Sequence, residues 1–217
     1  MAGQSPPVLL PVVLPCDEML PEANHSKPDP TREVEVKLKV DDPQLAAELL
    51  ASHGFAVNHP RAFESNVLYD TPERALRAER RLLRVREFGG VATLTYKGTP
   101  ETGRHKSREE LETDVADGEM LRMMLGRLGY TPVFRYEKYR TVYQQPGESA
   151  GMAVLDETPI GCWIELEGAP DWIDANAERL GFSQQAYITE SYGALWLSYC
   201  REHKIDSSDM LFSPGGA

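Results

Sequence analysis

The clearest regularity in this chain has a period of two. In Glu33-Val34-Glu35-Val36-Lys37-Leu38 charged and aliphatic residues alternate without exception, which predicts a strand with one apolar and one charged face. The pattern returns with Arg108, Glu110 and Glu112 around Leu111, and with Glu165 and Glu167 flanked by Ile164 and Leu166. Further strands are predicted over 63–70, over 81–88 with a Gly89-Gly90 hairpin turn into 91–97, over 133–144, over 152–156 and over 162–167. That makes about eight strands.

Helices fall between them. The stretch 40–55 matches 115–130 without gaps at a constant offset of 75 positions. Both copies read as Asp-capped helices with apolar residues three and four apart, ended by a Gly suited to a left-handed C-terminal position. The same offset lays Glu33, Glu35 and Lys37 over Arg108, Glu110 and Glu112. A third unit follows Glu165-Leu166-Glu167, with a helix over 171–180 and then Gly181-Phe182, and a last helix spans about 191–203.

Sorting the strands by parity separates Val34, Val36, Leu38, Leu83, Val85, Leu94, Tyr96, Leu111, Ile164 and Leu166 from a charged set. That set is Glu33, Glu35, Lys37, Arg84, Arg86, Lys97, Arg108, Glu110, Glu112, Glu165 and Glu167, with Asp156, Lys138 and Arg140 added from neighbouring strands. Apolar strand faces are the natural partners of amphipathic helices. The charged faces are then left to meet solvent or one another. An open sheet with a wet face satisfies the periodicity equally well. Residue type favours closure, because a merely wet face tolerates Ser, Thr, Asn and Gln, whereas these positions are mostly Glu, Arg and Lys. The expected fold is therefore α+β: an eight-stranded antiparallel closed barrel with a charged interior and helices packed outside. Trp163 is expected to face those helices.

Composition bounds the function. The net charge of −11 argues against general nucleic-acid binding. No apolar run approaches the roughly 18 residues of a membrane span. Residues 1–31 carry Pro6, Pro7, Pro11, Pro15, Pro21, Pro28 and Pro30 and read as an extended leader. The folded unit is expected over 32–205 and a Ser/Gly/Pro-rich flexible tail over 206–217. Cys16, Cys162 and Cys200 show no ligand spacing, which suits reduced thiols and a cytoplasmic location.

Paired acids two residues apart on one face repel unless a cation sits between them. The pairs 33/35 and 165/167 offer the hard oxygen ligands that Mg²⁺ or Mn²⁺ takes. The surplus Arg and Lys side chains suit phosphate oxygens. Together they describe a site for a triphosphate and a divalent ion.

Here the chain resembles the CYTH superfamily, the triphosphate tunnel metalloenzymes, which include class IV adenylate cyclases and thiamine and inorganic triphosphatases. The resemblance rests on Glu33-x-Glu35-x-Lys37, Leu68-Tyr69-Asp70-Thr71-Pro72, Leu83-Arg84-Val85-Arg86, Thr95-Tyr96-Lys97-Gly98, Ser107-Arg108-Glu109-Glu110-Leu111-Glu112, Lys138-Tyr139-Arg140, Leu155-Asp156 and Ile164-Glu165-Leu166-Glu167-Gly168. It implies an antiparallel tunnel. Glu33, Glu35, Glu165 and Glu167, with Asp156 beside them, would hold the metal. Lys37, Arg84, Arg86, Lys97, Arg108, Lys138 and Arg140 would hold phosphate. Glu33, Glu35, Lys37 and Glu110 or Glu112 would take part in catalysis. The expected activity is metal-dependent hydrolysis of inorganic triphosphate, thiamine triphosphate or a nucleoside triphosphate. The alternatives are cyclisation of ATP to cyclic AMP and pyrophosphate, or a non-catalytic polyphosphate or nucleotide module. The resemblance also makes a homodimer plausible. His105, in the charged turn 98–107, is a candidate contact for the organic end of the substrate.

Overall fold

The computed structural model describes residues 31–213, so all of the expected leader but Thr31 lies outside the described residues. Eight strands close into one antiparallel barrel: β1 (Arg32–Val40), β2 (Ala56–Asp70), β3 (Leu82–Phe88), β4 (Val91–Lys97), β5 (Lys106–Val115), β6 (Thr131–Gln144), β7 (Gly151–Thr158) and β8 (Gly161–Gly168). Around the barrel they run β1-β5-β4-β3-β2-β6-β7-β8. Closure removes the sheet edges and decides against the open wet-faced sheet. The helices are α1 (Pro43–Ser52), α2 (Ala75–Ala78), α3 (Gly118–Arg127), α4 (Pro170–Arg179) and α5 (Tyr192–His203).

Local signals explain the long connections. Asp42 accepts from the backbone N–H of Gln44 and Leu45 and so caps α1, while Asp117 accepts from Met120 and caps α3. The β3–β4 turn places both Gly89 and Gly90 at positive φ, as a two-residue hairpin loop demands. Outside the barrel, Val36, Leu38, Ile164 and Leu166 bury against Leu50 of α1 and Ile173 of α4. On the far side Val85 meets Leu125 of α3. Most of the apolar parity set therefore does face the helices, with Leu111 left exposed.

The motif Tyr69-Asp70-Thr71-Pro72 turns out to be scaffolding. Asp70 is buried, and its carboxylate accepts from Thr71 (2.7 Å), Leu76 (2.9 Å) and Arg77 (2.9 Å) backbone N–H groups. It thus anchors the short helix α2, which the sequence reading did not resolve. Strand β2 is also longer than the expected 63–70. Register shifts between Val57 and His59 and between His59 and Ala62, around Pro60, interrupt its alternation.

One seam of the barrel is incomplete. β1 pairs with β5 only over Arg32–Glu35. Beyond that rung the free side of β1 is closed by Ile188, whose N–H and C=O exchange 2.9 Å hydrogen bonds with Lys37. The strap formed there carries the chain to α5, whose first residues line the interior cavity. One end of the bore is therefore plugged by a helix.

Two expectations are corrected here. Trp163 does pack against a helix, but from the inner face it shares with Glu165 and Glu167 and not with the outer apolar set. It packs edge-on to Tyr192 of α5 with ring centroids 5.6 Å apart. The expected tail from residue 206 also docks, at least through Phe212. Met210 is fully buried; its N–H donates to the Arg135 carbonyl at 2.9 Å and its own carbonyl accepts from Glu137 N–H at 3.0 Å. Phe212 lies 5.4 Å from the Tyr139 ring. Average composition hides the apolar trio Met210-Leu211-Phe212 among small polar neighbours. Met210→Ala should cost about 2–5 kcal/mol of unfolding free energy in urea denaturation, against about 0.5 kcal/mol or less for Lys204→Ala. An unchanged midpoint for Met210→Ala would show that the segment does not dock.

Candidate functional site

The inner faces of the strands converge on a cavity of about 140 Å³. At one level three carboxylates meet: Glu33 and Glu35 from β1 and Glu167 from β8 have oxygens all within 4.8 Å of one another. The β1–β8 register produces this, because Glu35 and Glu167 are cross-strand partners. A packing constraint holds Glu167 there. A Cβ added to Gly151, opposite Gly168 on the neighbouring strand, would lie 2.6 Å from the Glu167 carbonyl and 2.5 Å from the Trp172 ring. Only glycine lets α4 approach the strand so closely.

Cations surround this cluster. Lys97 contacts Glu33 at 2.6 Å and Glu110 at 2.9 Å, and Arg108 contacts Glu33 at 3.2 Å. Glu35 accepts from Lys37 at 3.1 Å and from Lys106. Glu167 has no ion pair among the described residues. The three oxygens, one of them without a countercharge, suit a hard divalent cation, which prefers carboxylate oxygen.

Toward the α5 plug the charges interlock differently. Asp156 accepts from Lys138 at 2.8 Å, from Arg140 in a two-pronged contact at 2.8 and 2.7 Å, and from the Tyr192 hydroxyl at 2.8 Å. Glu165 takes Lys37 at 3.1 Å and Arg140 at 2.6 Å. Glu165 was expected among the metal-associated acids with Asp156 beside them; in the structure both pair with lysine and arginine, as Glu33 and Glu35 also do. Arg84 bridges the Tyr136 hydroxyl (3.2 Å), Thr95 (3.2 Å) and Glu112 (3.1 Å), and Arg86 lines the same wall. Of the two β5 acids, Glu110 sits inward against Lys97. Glu112, held by Thr95 at 2.6 Å, lies further out.

Burial and neighbours set the protonation states. Burial alone would raise Glu35, but Lys37 and Lys106 outweigh it and hold its carboxyl well below the usual range. Burial would depress Lys37, yet Glu165 and Glu35 keep its ammonium charged. Glu167 goes the other way: burial, reinforced by Glu165, Glu33 and Glu35 and only partly opposed by Arg140, pushes it up to about 8. Burial pushes Glu110 up to about 7 despite Lys97. Lys106 is lowered to about 8, by burial first and then by Lys37, Arg108 and Lys97, against the pull of Glu35.

Several lumen residues escaped the sequence reading. Glu64 and Asn66 on β2 are fully buried. Asn66 donates to Glu64 at 2.9 Å, and Glu64 lies 3.3 Å from Lys138, which with Arg140 holds it down to about 2 against the pull of burial. Their signal was weak because Glu64, Asn66 and Leu68 mix charge, amide and leucine on one face. Lys106 sits two residues before Arg108 and shares its parity; extending that strand backwards would have found it. His105 is not in the cavity wall. Its Nε2 pairs with Asp174 of α4 at 2.8 Å, where Tyr187 also donates at 2.9 Å, so the β4–β5 turn is clamped to α4.

This geometry has known counterparts. The CYTH domain model matches residues 31–180. A Methanocaldococcus jannaschii protein named as a candidate adenylate cyclase is 31% identical over 135 residues, covering 62% of this chain and 75% of the relative. Among solved structures, a candidate adenylate cyclase from Vibrio parahaemolyticus aligns with a TM-score of 0.67 at 21% identity, over 76% of this chain and 97% of that one. A Hippeastrum protein, described as a candidate adenylyl cyclase with a dominant triphosphatase activity, aligns at 0.58 with 19% identity over 77% and 96%. The last two likenesses concern the fold. With the family model spanning most of the barrel, the chain belongs to the CYTH domain family.

Proposed function

We propose that the protein is a divalent-metal-dependent triphosphatase acting inside the bore. The observation that carries this reading is the meeting of Glu33, Glu35 and Glu167 within 4.8 Å in a wall of lysines and arginines. Those three carboxylates would hold Mg²⁺ or Mn²⁺, which supplies Lewis-acid stabilisation of phosphoryl oxygens when bound. Lys37, Arg84, Arg86, Lys97, Arg108, Lys138 and Arg140 would receive the phosphate oxygens, trading carboxylate partners for the ligand. Asp156, Glu165 and Glu64 keep Lys138, Arg140 and Lys37 in place when the bore is empty of substrate.

Glu110 is the group suited to proton transfer. Its carboxyl titrates near neutrality and lies against Lys97, where a base for an attacking water is most effective. Water oxygen would bond to the terminal phosphorus, the bridging P–O bond would break with its electron pair leaving on the diphosphate product, and Glu110 would accept the proton. Glu112, paired to Arg84, would steady that arginine at the wall.

Cyclisation is the second reading, and the name of the archaeal relative at 31% identity supports it. It uses the same phosphate wall and replaces water by a ribose hydroxyl. The plant protein of the same fold, named for cyclisation yet described by triphosphatase activity, shows that the name alone does not choose between them. The full chain with Mg²⁺ or Mn²⁺ is given inorganic triphosphate, thiamine triphosphate and ATP in turn, and the products are separated. Phosphate release from at least one substrate is expected; cyclic AMP with pyrophosphate as the main product would favour the second reading.

Glu167→Gln should lower metal-dependent turnover by about 100-fold while circular dichroism stays native. Near-wild-type turnover would remove Glu167 from the metal set.

The raised acids also predict a pH signature. A carboxyl at about 8 in the folded protein, against an ordinary 4.5, means that the native state binds more protons than the unfolded state between those values. Stability of the metal-free protein should then fall as pH rises from about 5 to 8. Glu110 acts in the same direction up to about 7. Above pH 8 the lowered Lys106 reverses the slope, since the unfolded lysine there holds the extra proton. Thermal melts in chelator should show the decline and Glu167→Gln should flatten it. A metal-free protein that gains stability from pH 5 to 8 would contradict the assignment.

A further inference from the structure

Lys106 is placed differently from the other lumen lysines. Lys37 divides its ammonium between Glu35 and Glu165, both at 3.1 Å. Lys97 has Glu33 and Glu110, and Lys138 has Glu64 and Asp156. Lys106 has one ion-pair partner among the described residues, Oε1 of Glu35, and Lys37 donates to that same oxygen. It stands on the last rung where β5 still pairs with β1, directly opposite Glu35, and it is buried.

Glu35 is also one corner of the three-carboxylate cluster. A divalent ion there and the Lys106 ammonium would compete for the same carboxylate. Lys37 can fall back on Glu165, but Lys106 has no second acid. A buried ammonium stripped of its counterion costs several kcal/mol, so it must find another anion within the bore. A triphosphate lying along the wall supplies one.

We propose that Lys106 is a place-holding cation, occupying Glu35 until a divalent ion displaces it and then turning to a phosphoryl oxygen of the substrate. Metal and triphosphate therefore each take one half of a pre-existing ion pair, and each strengthens the binding of the other. Lys106 is a positioning residue for the metal and a contact for the phosphate chain. The inference rests on the triphosphatase reading above and assigns the order of exchange within that site.

The test uses the full chain, with Mn²⁺ binding read from the electron spin resonance of the free ion, and with imidotriphosphate as a non-hydrolysable probe. Lys106→Met should bind Mn²⁺ alone about tenfold tighter and imidotriphosphate alone about tenfold more weakly. The mutual strengthening of the two, corrected for their complex in solution, should fall by a similar factor. Lys106→Arg should retain it. Independently of whether Lys106→Met folds, ¹⁵N-lysine spectra of the wild-type protein, assigned with Lys106→Arg, should show the Lys106 ammonium signal moving on Mg²⁺ addition and again on imidotriphosphate addition. A wild-type protein that binds both ligands while this signal stays fixed, or a Lys106→Met protein whose Mn²⁺ affinity is unchanged or weaker, overturns the place-holder alone. A wild-type protein that binds neither ligand overturns the triphosphatase reading and this proposal together.

Discussion

Everything in this structure follows from enclosing charges of both signs in one bore. A buried carboxylate or ammonium loses several kcal/mol of hydration, which an ion pair only partly returns. Well-packed apolar residues in place of buried ion pairs are often neutral or stabilising, so stability alone does not call for this interior. The bore holds Glu33, Glu35, Lys37, Glu64, Lys97, Lys106, Arg108, Lys138, Arg140, Asp156 and Glu165 in mutual contact. Such an arrangement weakens the fold and makes sense as a site that exchanges internal partners for a ligand of the same charge pattern.

The fold divides that task between its two faces. The outer strand residues carry the stability through aliphatic contact with α1, α3 and α4, leaving the inner residues free to be chosen for chemistry. The end closed by α5 is the most heavily interlocked: Tyr192 ties the helix to Asp156, and Trp163 packs behind it. At the acidic cluster Glu33 and Glu35 have lysine and arginine partners while Glu167 has no ion pair among the described residues, and burial, reinforced by Glu165, Glu33 and Glu35, pushes its carboxyl up to about 8. One stretch of the bore thus pairs each of its acids with a base, and the other leaves Glu167 without a countercharge. That division is what the metal and substrate reading uses.

Much of this was legible in the primary structure. The strict alternation at 33–38 and 164–167 marked which residues face inward, and the offset of 75 placed Arg108, Glu110 and Glu112 on the same parity as β1. Closure was expected because the polar positions are mostly Glu, Arg and Lys, with acids on some strands and bases on others, where a merely wet face would carry Ser, Thr, Asn and Gln. Legibility failed where alternation was diluted or interrupted. Pro60 and the register shifts of β2 hid its first half, and on the half that was expected the mixture of Glu64, Asn66 and Leu68 left the inner face unmarked. Lys106 was lost by starting β5 two residues late. The family resemblance sets Asp156 and Glu165 with the metal-associated acids, and only the register of β6, β7 and β8 shows which bases they face, Lys138 and Arg140. Partner choice among like residues is set by register across the barrel, which a single strand pattern does not contain.

The central claim is that one bore binds a divalent ion and a chain of phosphates side by side. A crystal structure with Mn²⁺ and a non-hydrolysable triphosphate analogue tests it most directly. The account predicts an anomalous peak among Glu33, Glu35 and Glu167, with phosphate oxygens along Arg84, Lys97, Lys138 and Arg140. Metal bound elsewhere, or an analogue seated outside the barrel, would contradict it.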